Sequence, residues 1–442
     1  MNKYERYRDT GLTWINKVPE KWNLKKINAL FDERREKVSD TDYEALSVTK
    51  NGIFKQLDNV AKTNDGDNRK KVQRNDFVIN SRSDRKGSSG LSDFNGSVSL
   101  INIVLRIKKE YPRYMHYLLK SVPFQEEFYR NGKGIVADLW STNFQSMKSI
   151  ILPIPPIKEQ VQIANYLDWK INEIDRLIQI EKEKIKQLKI CKQKYIDSLI
   201  ETIDTVPQPL KSIFNFGKGL NITKENLGQK GIKCISYGEI HNEFFFSFSS
   251  NNTKLKKLEK TDGVVISKFA NLNKGDFIFA DTSEDLNGCG NFTFLEDDFI
   301  KIYAGYHTVV AKPIIEFDTK YLAYYFQSNK WRMQVKKTVK GIKVYSITQQ
   351  ILKSSKVQIP DDKIQKNIVN RADKFIEKIN CLTDIMENCI KALLDLKQSL
   401  ISEVVTGQID VRDIAIPEYE KVAIADGEIE ETDEMEGKEY GS

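Results

Sequence analysis

At 442 residues, with 40% hydrophobic and 30% charged side chains, the chain exceeds one ordinary core and should fold as two or more domains. No apolar run approaches the ~20 residues that span a bilayer, and the opening MNKYERYRDTGLTWI lacks the apolar centre of a secretion signal, so no membrane association and a cytoplasmic location are expected. The net charge of +7 conceals an asymmetry: residues 418–442 carry ten acidic residues against Lys421 and Lys438, a local −8, leaving +15 on residues 1–417. A basic body suits a polyanionic partner, and the acidic tail reads as disordered.

In chain order, the first informative segment is NDFVINSRSDRKGSSG, Asn75 to Gly90, a short apolar strand followed by a polar, glycine-rich loop. Its candidates for nucleic-acid contact are Arg82, Arg85, Lys86, Ser88 and Ser89, because arginine reads guanine edges bidentately. NGKG, Asn131 to Gly134, adds Lys133 as a phosphate contact. ILPIPPIKEQVQIANYLDWKI, Ile151 to Ile171, then runs prolines into a periodic helix. Pro153, Pro155 and Pro156 hold an extended segment and aim the helix, since a proline at the first helical position sacrifices no hydrogen bond.

Apolar residues then follow heptad spacing. The a positions are Ala164, Ile171, Ile178, Ile185, Lys192 and Leu199, and the d positions are Leu167, Ile174, Glu181, Leu188 and Tyr195. From Lys158 to Ile203 this makes a rod of about 65–70 Å. TIDTVPQPLKSI, Thr202 to Ile213, turns between halves, and the second half repeats the first. GDFIFADTSEDLNGCG, Gly275 to Gly290, resembles Asn75 to Gly90 at an offset of 200 and offers Thr282, Ser283 and Asn287. YLAYYFQS from Tyr321 parallels YMHYLLKS from Tyr114, and VKGIK adds Lys340 and Lys343 as phosphate contacts.

KVQIPDDKIQKNIVNRADKFI, Lys356 to Ile376, repeats the first proline–helix segment at a constant offset of 205. Pro360, Gln365, Ile368, Asp373 and Ile379 fall on Pro155, Gln160, Ile163, Asp168 and Ile174. Asp361 and Asp362 supply an N-cap and a favourable charge at the helix start. Lys192 and Lys397 share one a position, where a buried ammonium usually fixes register or faces a partner. Five cysteines without a CxxC pair give neither a disulfide framework nor a zinc site; Cys191, Cys381 and Cys389 read as packing residues within helices.

Catalytic signatures are missing. His116, His241 and His307 are isolated, and no GxxxxGK[ST] phosphate cradle occurs. NFGKGL, Asn215 to Leu220, lacks the remainder of a dinucleotide fingerprint, and PDDK, Pro360 to Lys363, is better explained as a helix start than as a nuclease carboxylate pair.

Three stretches resemble the specificity subunit of Type I restriction-modification systems. They are GLTWINKVPEKWNLKKI (Gly11 to Ile27, with Asn16 where glycine is usual), LPIPPIKEQVQIANYL (Leu152 to Leu167, with Pro155, Pro156, Glu159 and Gln160) and SLISEVVTGQIDVRD (Ser399 to Asp413). The resemblance implies an α/β protein in which two target-recognition domains alternate with two long antiparallel coiled-coil helices, related by an internal pseudo-twofold repeat. The expected divisions are a first recognition domain in 1–157, spacer helices in 158–203 and 361–406, a second recognition domain in 204–360, and a C-terminal segment with the acidic tail in 407–442. The implied partners are double-stranded DNA, two methyltransferase subunits and restriction/translocase subunits. Pro155, Pro156, Glu159, Gln160, Gln365, Lys192 and Lys397 would serve the helix starts and partner docking. No cofactor or metal is expected on this chain; S-adenosylmethionine, ATP and Mg belong to the partners, which carry the catalysis. The alternative is a coiled-coil, self-dimerising DNA-binding regulator, disfavoured because such a protein gains its symmetry by dimerising and rarely carries two unlike halves.

Overall fold

The computed structural model describes residues 2–56, 66–134, 140–341 and 343–422; most of the acidic tail, from 423 onward, lies outside the described residues. The chain forms two compact units, Met1–Lys182 with Glu387–Ser442, and Glu183–Met386.

In the unit that holds both chain ends, β1 (Phe31–Glu33), β2 (Asp76–Asn80), β3 (Ser89–Leu91) and β4 (Asn102–Ile107) make an antiparallel sheet in the order β3-β2-β4-β1. Every residue of β2 is buried, the polar Asp76 and Asn80 at its ends included, so Phe77–Ile79 reads as a short apolar run without alternation. Helices α1 (Pro112–Lys120) and α2 (Val122–Arg130) meet at buried Ser121, whose hydroxyl donates to the Leu118 carbonyl at 2.7 Å. Strand Ile151–Ile154 pairs with Asn23–Lys26, and the Pro155-Pro156 pair then releases α3 (Ile157–Glu201). The first turns of α3 bury Ile163, Ala164 and Leu167 in one core with Tyr114 and Leu118, and that core is completed by Leu400, Ile401, Val404 and Val405.

The second unit repeats the arrangement with β5 (Phe214–Lys218), β6 (Ser247–Phe248), β7 (Phe277–Ala280), β8 (Thr282–Ser283), β9 (Phe292–Leu295), β10 (Thr308–Pro313) and β11 (Tyr345–Ser346). Its main sheet runs β5-β10-β7-β9-β6. Helices α4 (Thr319–Gln327) and α5 (Asn329–Lys336) hinge at buried Ser328, as α1 and α2 do at Ser121. The turns before β2 and β7 also match: Asn75 and Gly275 take φ of 69° and 83°, the left-handed region that asparagine and glycine tolerate best. Asp76 and Asp276 close these turns by accepting from the Gln73 and Asn273 N–H groups, each at 2.8 Å.

Helix α6 (Asp362–Val405) starts as its sequence requires, the Asp361 carboxylate accepting from the Ile364 N–H at 2.9 Å. Within the second unit its first turns lie against the last turns of α3: Tyr195 and Phe375 stack with centroids 3.9 Å apart, and Leu199, Val369 and Ala372 share a core. All the assigned a and d positions of α3, and their counterparts in α6, are buried or half-buried. The three helical cysteines correct the expectation. Cys191, Cys381 and Cys389 are exposed, one or two residues off the apolar seam, whereas the buried thiols are Cys234 and Cys289.

Candidate nucleic-acid interface

The Arg82–Lys86 segment crosses the end of the first sheet, joining β2 to β3, and is held from beneath. The Lys120 ammonium, at the end of α1, donates to the carbonyls of Lys50, Gly87 and Ser89 at 2.6, 3.0 and 3.3 Å. The Tyr129 hydroxyl on α2 lies 3.3 Å from the Asn80 carbonyl and 3.4 Å from that of Arg85. Burial pushes the Lys120 ammonium down to about 8, with the positive charge of Lys397 as the second cause. Arg82, Arg85 and Lys86 are exposed. Arg82 pairs with Asp84 at 2.9 Å and Lys86 contacts Glu126, while Arg85 has no ion-pair partner among the described residues. Ser88 and Ser89 depart from expectation: they are 5% and 1% exposed, because Ser89 already begins β3.

The backbone brings Lys133 to the same place. Ser141 bridges both Arg82 and Lys133, exchanging N–H···O bonds with Lys133 at 3.1 and 3.2 Å, while the Ser83 N–H donates to the Trp140 carbonyl at 2.9 Å. Two distant cationic segments thus flank Ser141, with Trp140 exposed beside them. The second unit builds the same ladder: Thr282 pairs with Ser346, and Ser346 bridges Lys340. Trp140-Ser141 and Tyr345-Ser346 stand 205 apart, the offset of the long helices. Neither pair was singled out in the sequence, although LWSTNF and VYSITQ carry the signal.

Lys340, Lys343 and Asn287 are exposed and Thr282 is half-buried. Ser283 is buried, its hydroxyl donating to the Asp285 carbonyl at 2.7 Å, so it shapes the loop instead of facing outward. Arg332 on α5 plays the part of Lys120, donating to the carbonyls of Asn287 and Cys289 at 2.6 and 3.3 Å. His241 supports the same loop, its Nε2 2.8 Å from the Thr282 carbonyl.

The helix-start residues are engaged inside their own unit. Glu159 accepts from the Tyr4 hydroxyl at 2.6 Å and the Trp22 indole at 2.8 Å, fastening the N-terminal segment to α3. Gln160 accepts from the Tyr111 N–H and donates to the Pro155 carbonyl, at 2.8 and 2.9 Å. Gln365 does the same with Asp318 and Pro360, both at 2.8 Å. Both glutamines are buried and sit at the helix starts, where each locks a rod to its own domain. Pro155 is buried and Pro156 exposed. Lys397 lies 2.6 Å from Asp175. Lys192 is half-buried, and no ion pair engages it among the described residues.

Among the described residues no His/Cys/Asp/Glu cluster could hold a metal, and no helix is long and apolar enough to cross a membrane. Two copies of one mixed helix–sheet unit, each with a short backbone ladder beside an exposed lysine, Lys133 or Lys340, make this a tandem-domain protein. A family model described as the Type I restriction modification DNA specificity domain matches twice, over residues 19–189 and 204–392, and the chain belongs to that family of DNA specificity subunits. Its fold is similar to a chain from a type I R-M system studied for complex assembly and conformational transition, at 12% identity and a TM-score of 0.63, covering 89% of this chain and 99% of that one. Other similar structures are the HsdS subunit from Thermoanaerobacter tengcongensis (13% identity, TM-score 0.47, 89% of this chain and 98% of that chain) and the Type-I restriction-modification S subunit from M. genitalium (15%, 0.35, 89% and 97%). No curated protein matches the chain. The self-dimerising regulator finds no support in these findings.

Proposed function

We propose that the chain reads a bipartite double-stranded DNA site in the cytoplasm, one half-site per recognition domain, and contributes no catalysis of its own. The observation that carries this reading is the doubled ladder, Arg82–Ser141–Lys133 and Thr282–Ser346–Lys340. Arg82, Arg85, Lys86 and Lys133 contact DNA from one domain, and Thr282, Asn287, Lys340 and Lys343 from the other. Buried Ser88, Ser89 and Ser283 hold those loops in shape. The recognition domains occupy 1–157 and 204–360. Between them α3 and α6 act as an antiparallel coiled-coil spacer whose exposed faces dock two methyltransferase subunits and, through them, the restriction/translocase subunits. S-adenosylmethionine, ATP and Mg reside on those partners.

The test is co-expression with the cognate methyltransferase subunit and long-read mapping of methylated adenines across the host genome. The expected result is a split motif with a fixed gap. A continuous motif, or methylation independent of this chain, contradicts the proposal.

A further inference from the structure

The second unit contains a cavity of about 240 Å³ lined by Lys189, Lys192 and Gln193 of α3, by Phe245 and Asn291, and by Arg332 of α5. Three cations converge there, and none of the lining residues is acidic. Asp197, one turn further along α3, is already engaged by the Asn329 N–H and side-chain amide at 2.7 and 2.8 Å. Arg332 uses one nitrogen, Nη2, for the Asn287, Cys289 and Asn291 oxygens; Nε and Nη1 have no protein acceptor among the described residues. Burial holds the Lys192 and Arg332 groups below their usual ranges, so the cluster is costly as it stands.

The internal repeat supplies an independent comparison. Lys397 occupies in α6 the register position of Lys192 in α3, and its ammonium is neutralised by both Asp175 oxygens, at 2.6 and 2.9 Å. At the offset of 205, Asp175 becomes Asn380. One lysine of the pair has its counter-ion built into the chain, and the other has an amide in the corresponding place. A missing carboxylate beside converging cations and a guanidinium with unused N–H groups fits an anion with several acceptor oxygens, supplied from outside.

We propose that this cavity is a phosphate-binding site in which Lys189, Lys192 and Arg332 hold a phosphoryl group, with the exposed Phe245 ring at its mouth facing the attached sugar or base. Two sources share this chemistry: a backbone phosphate of bound DNA, and a free phosphate or nucleotide. The DNA source rests on the function proposed above; the site itself does not.

The full chain is titrated with inorganic phosphate by calorimetry, alongside Lys192→Gln, which removes a cation, and Asn380→Asp, which supplies the missing charge and keeps every lysine. Phosphate should bind the parent chain and bind each variant about tenfold more weakly, the loss expected for one charge-assisted contact. Binding of a random-sequence duplex is then followed against salt. A slope reduced by about one in both variants identifies a backbone phosphate, and an unchanged slope identifies a free phosphoanion. Absence of phosphate binding to the folded parent chain, or equal binding by parent and variants, overturns the site. A parent chain that takes up phosphate yet ignores a duplex carrying its own methylation motif would sink the DNA-reading function and leave the site standing.

Discussion

Gln160 and Gln365 show how much a single buried amide can organise. Each satisfies a backbone N–H of the adjoining domain and a proline carbonyl at the start of its helix, groups that burial would otherwise leave unpaired. Gln160→Ala and Gln365→Ala should each cost about 2–3 kcal/mol, because two backbone partners lose their bond at once, as read by urea unfolding; a change below about 0.5 kcal/mol would mean that water replaces the amide. Lys120 makes a different prediction. Its folded ammonium loses its proton near 8, against 10.5 for the unfolded side chain, so between those values the unfolded state binds more protons and stability rises with pH. Lys120→Met should remove that rise; an unchanged pH profile in the variant would assign it to other groups. Arg85, exposed and without an ion-pair partner among the described residues, is one of the proposed DNA contacts. Arg85→Ala should weaken cognate DNA binding by about 1–3 kcal/mol while leaving the thermal midpoint unmoved, if it reads a base edge.

The long helices were the most legible elements, because their seam is recorded in contiguous sequence: apolar residues every three or four positions, prolines before one and aspartates before the other. The same heptads place Cys191 and Cys389 one residue off the seam, which is why both are exposed and not packed. The ladders were not legible in this way. Ser141 joins Arg82 to Lys133 through backbone bonds among three loops, and no local periodicity marks a pairing of that kind. Glu159 is similar: its acid side chain reads as a helix-start charge, yet its partners Tyr4 and Trp22 lie more than a hundred residues away. If the helices space the half-sites, removing one heptad from each, about 10 Å of rise, should shorten the gap in the methylated motif by roughly three base pairs without altering either half. A gap that stayed constant in a folded deletion variant would rule out a ruler.

At the scale of the molecule, the two units are assembled unequally. The second is one continuous stretch, Glu183–Met386, whereas the first draws on both chain ends. Leu400, Ile401, Val404, Val405, Ile409 and Val411 complete the core that begins with Tyr114 and Leu167, and the Asp410 N–H donates to the Asn2 carbonyl at 2.9 Å. Six such side chains represent about 9–18 kcal/mol of burial, as much as the whole net stability of a domain. A chain ending at Met386 should therefore keep a protease-resistant second unit and lose residues 2–182 to rapid cleavage; equal resistance of both would show that the first core closes without its last strip. The same architecture sets an order of events on the ribosome. The core begun first lacks its last strip until the more than two hundred residues of the other unit have been added, and for that time it must stay exposed or be covered by a chaperone.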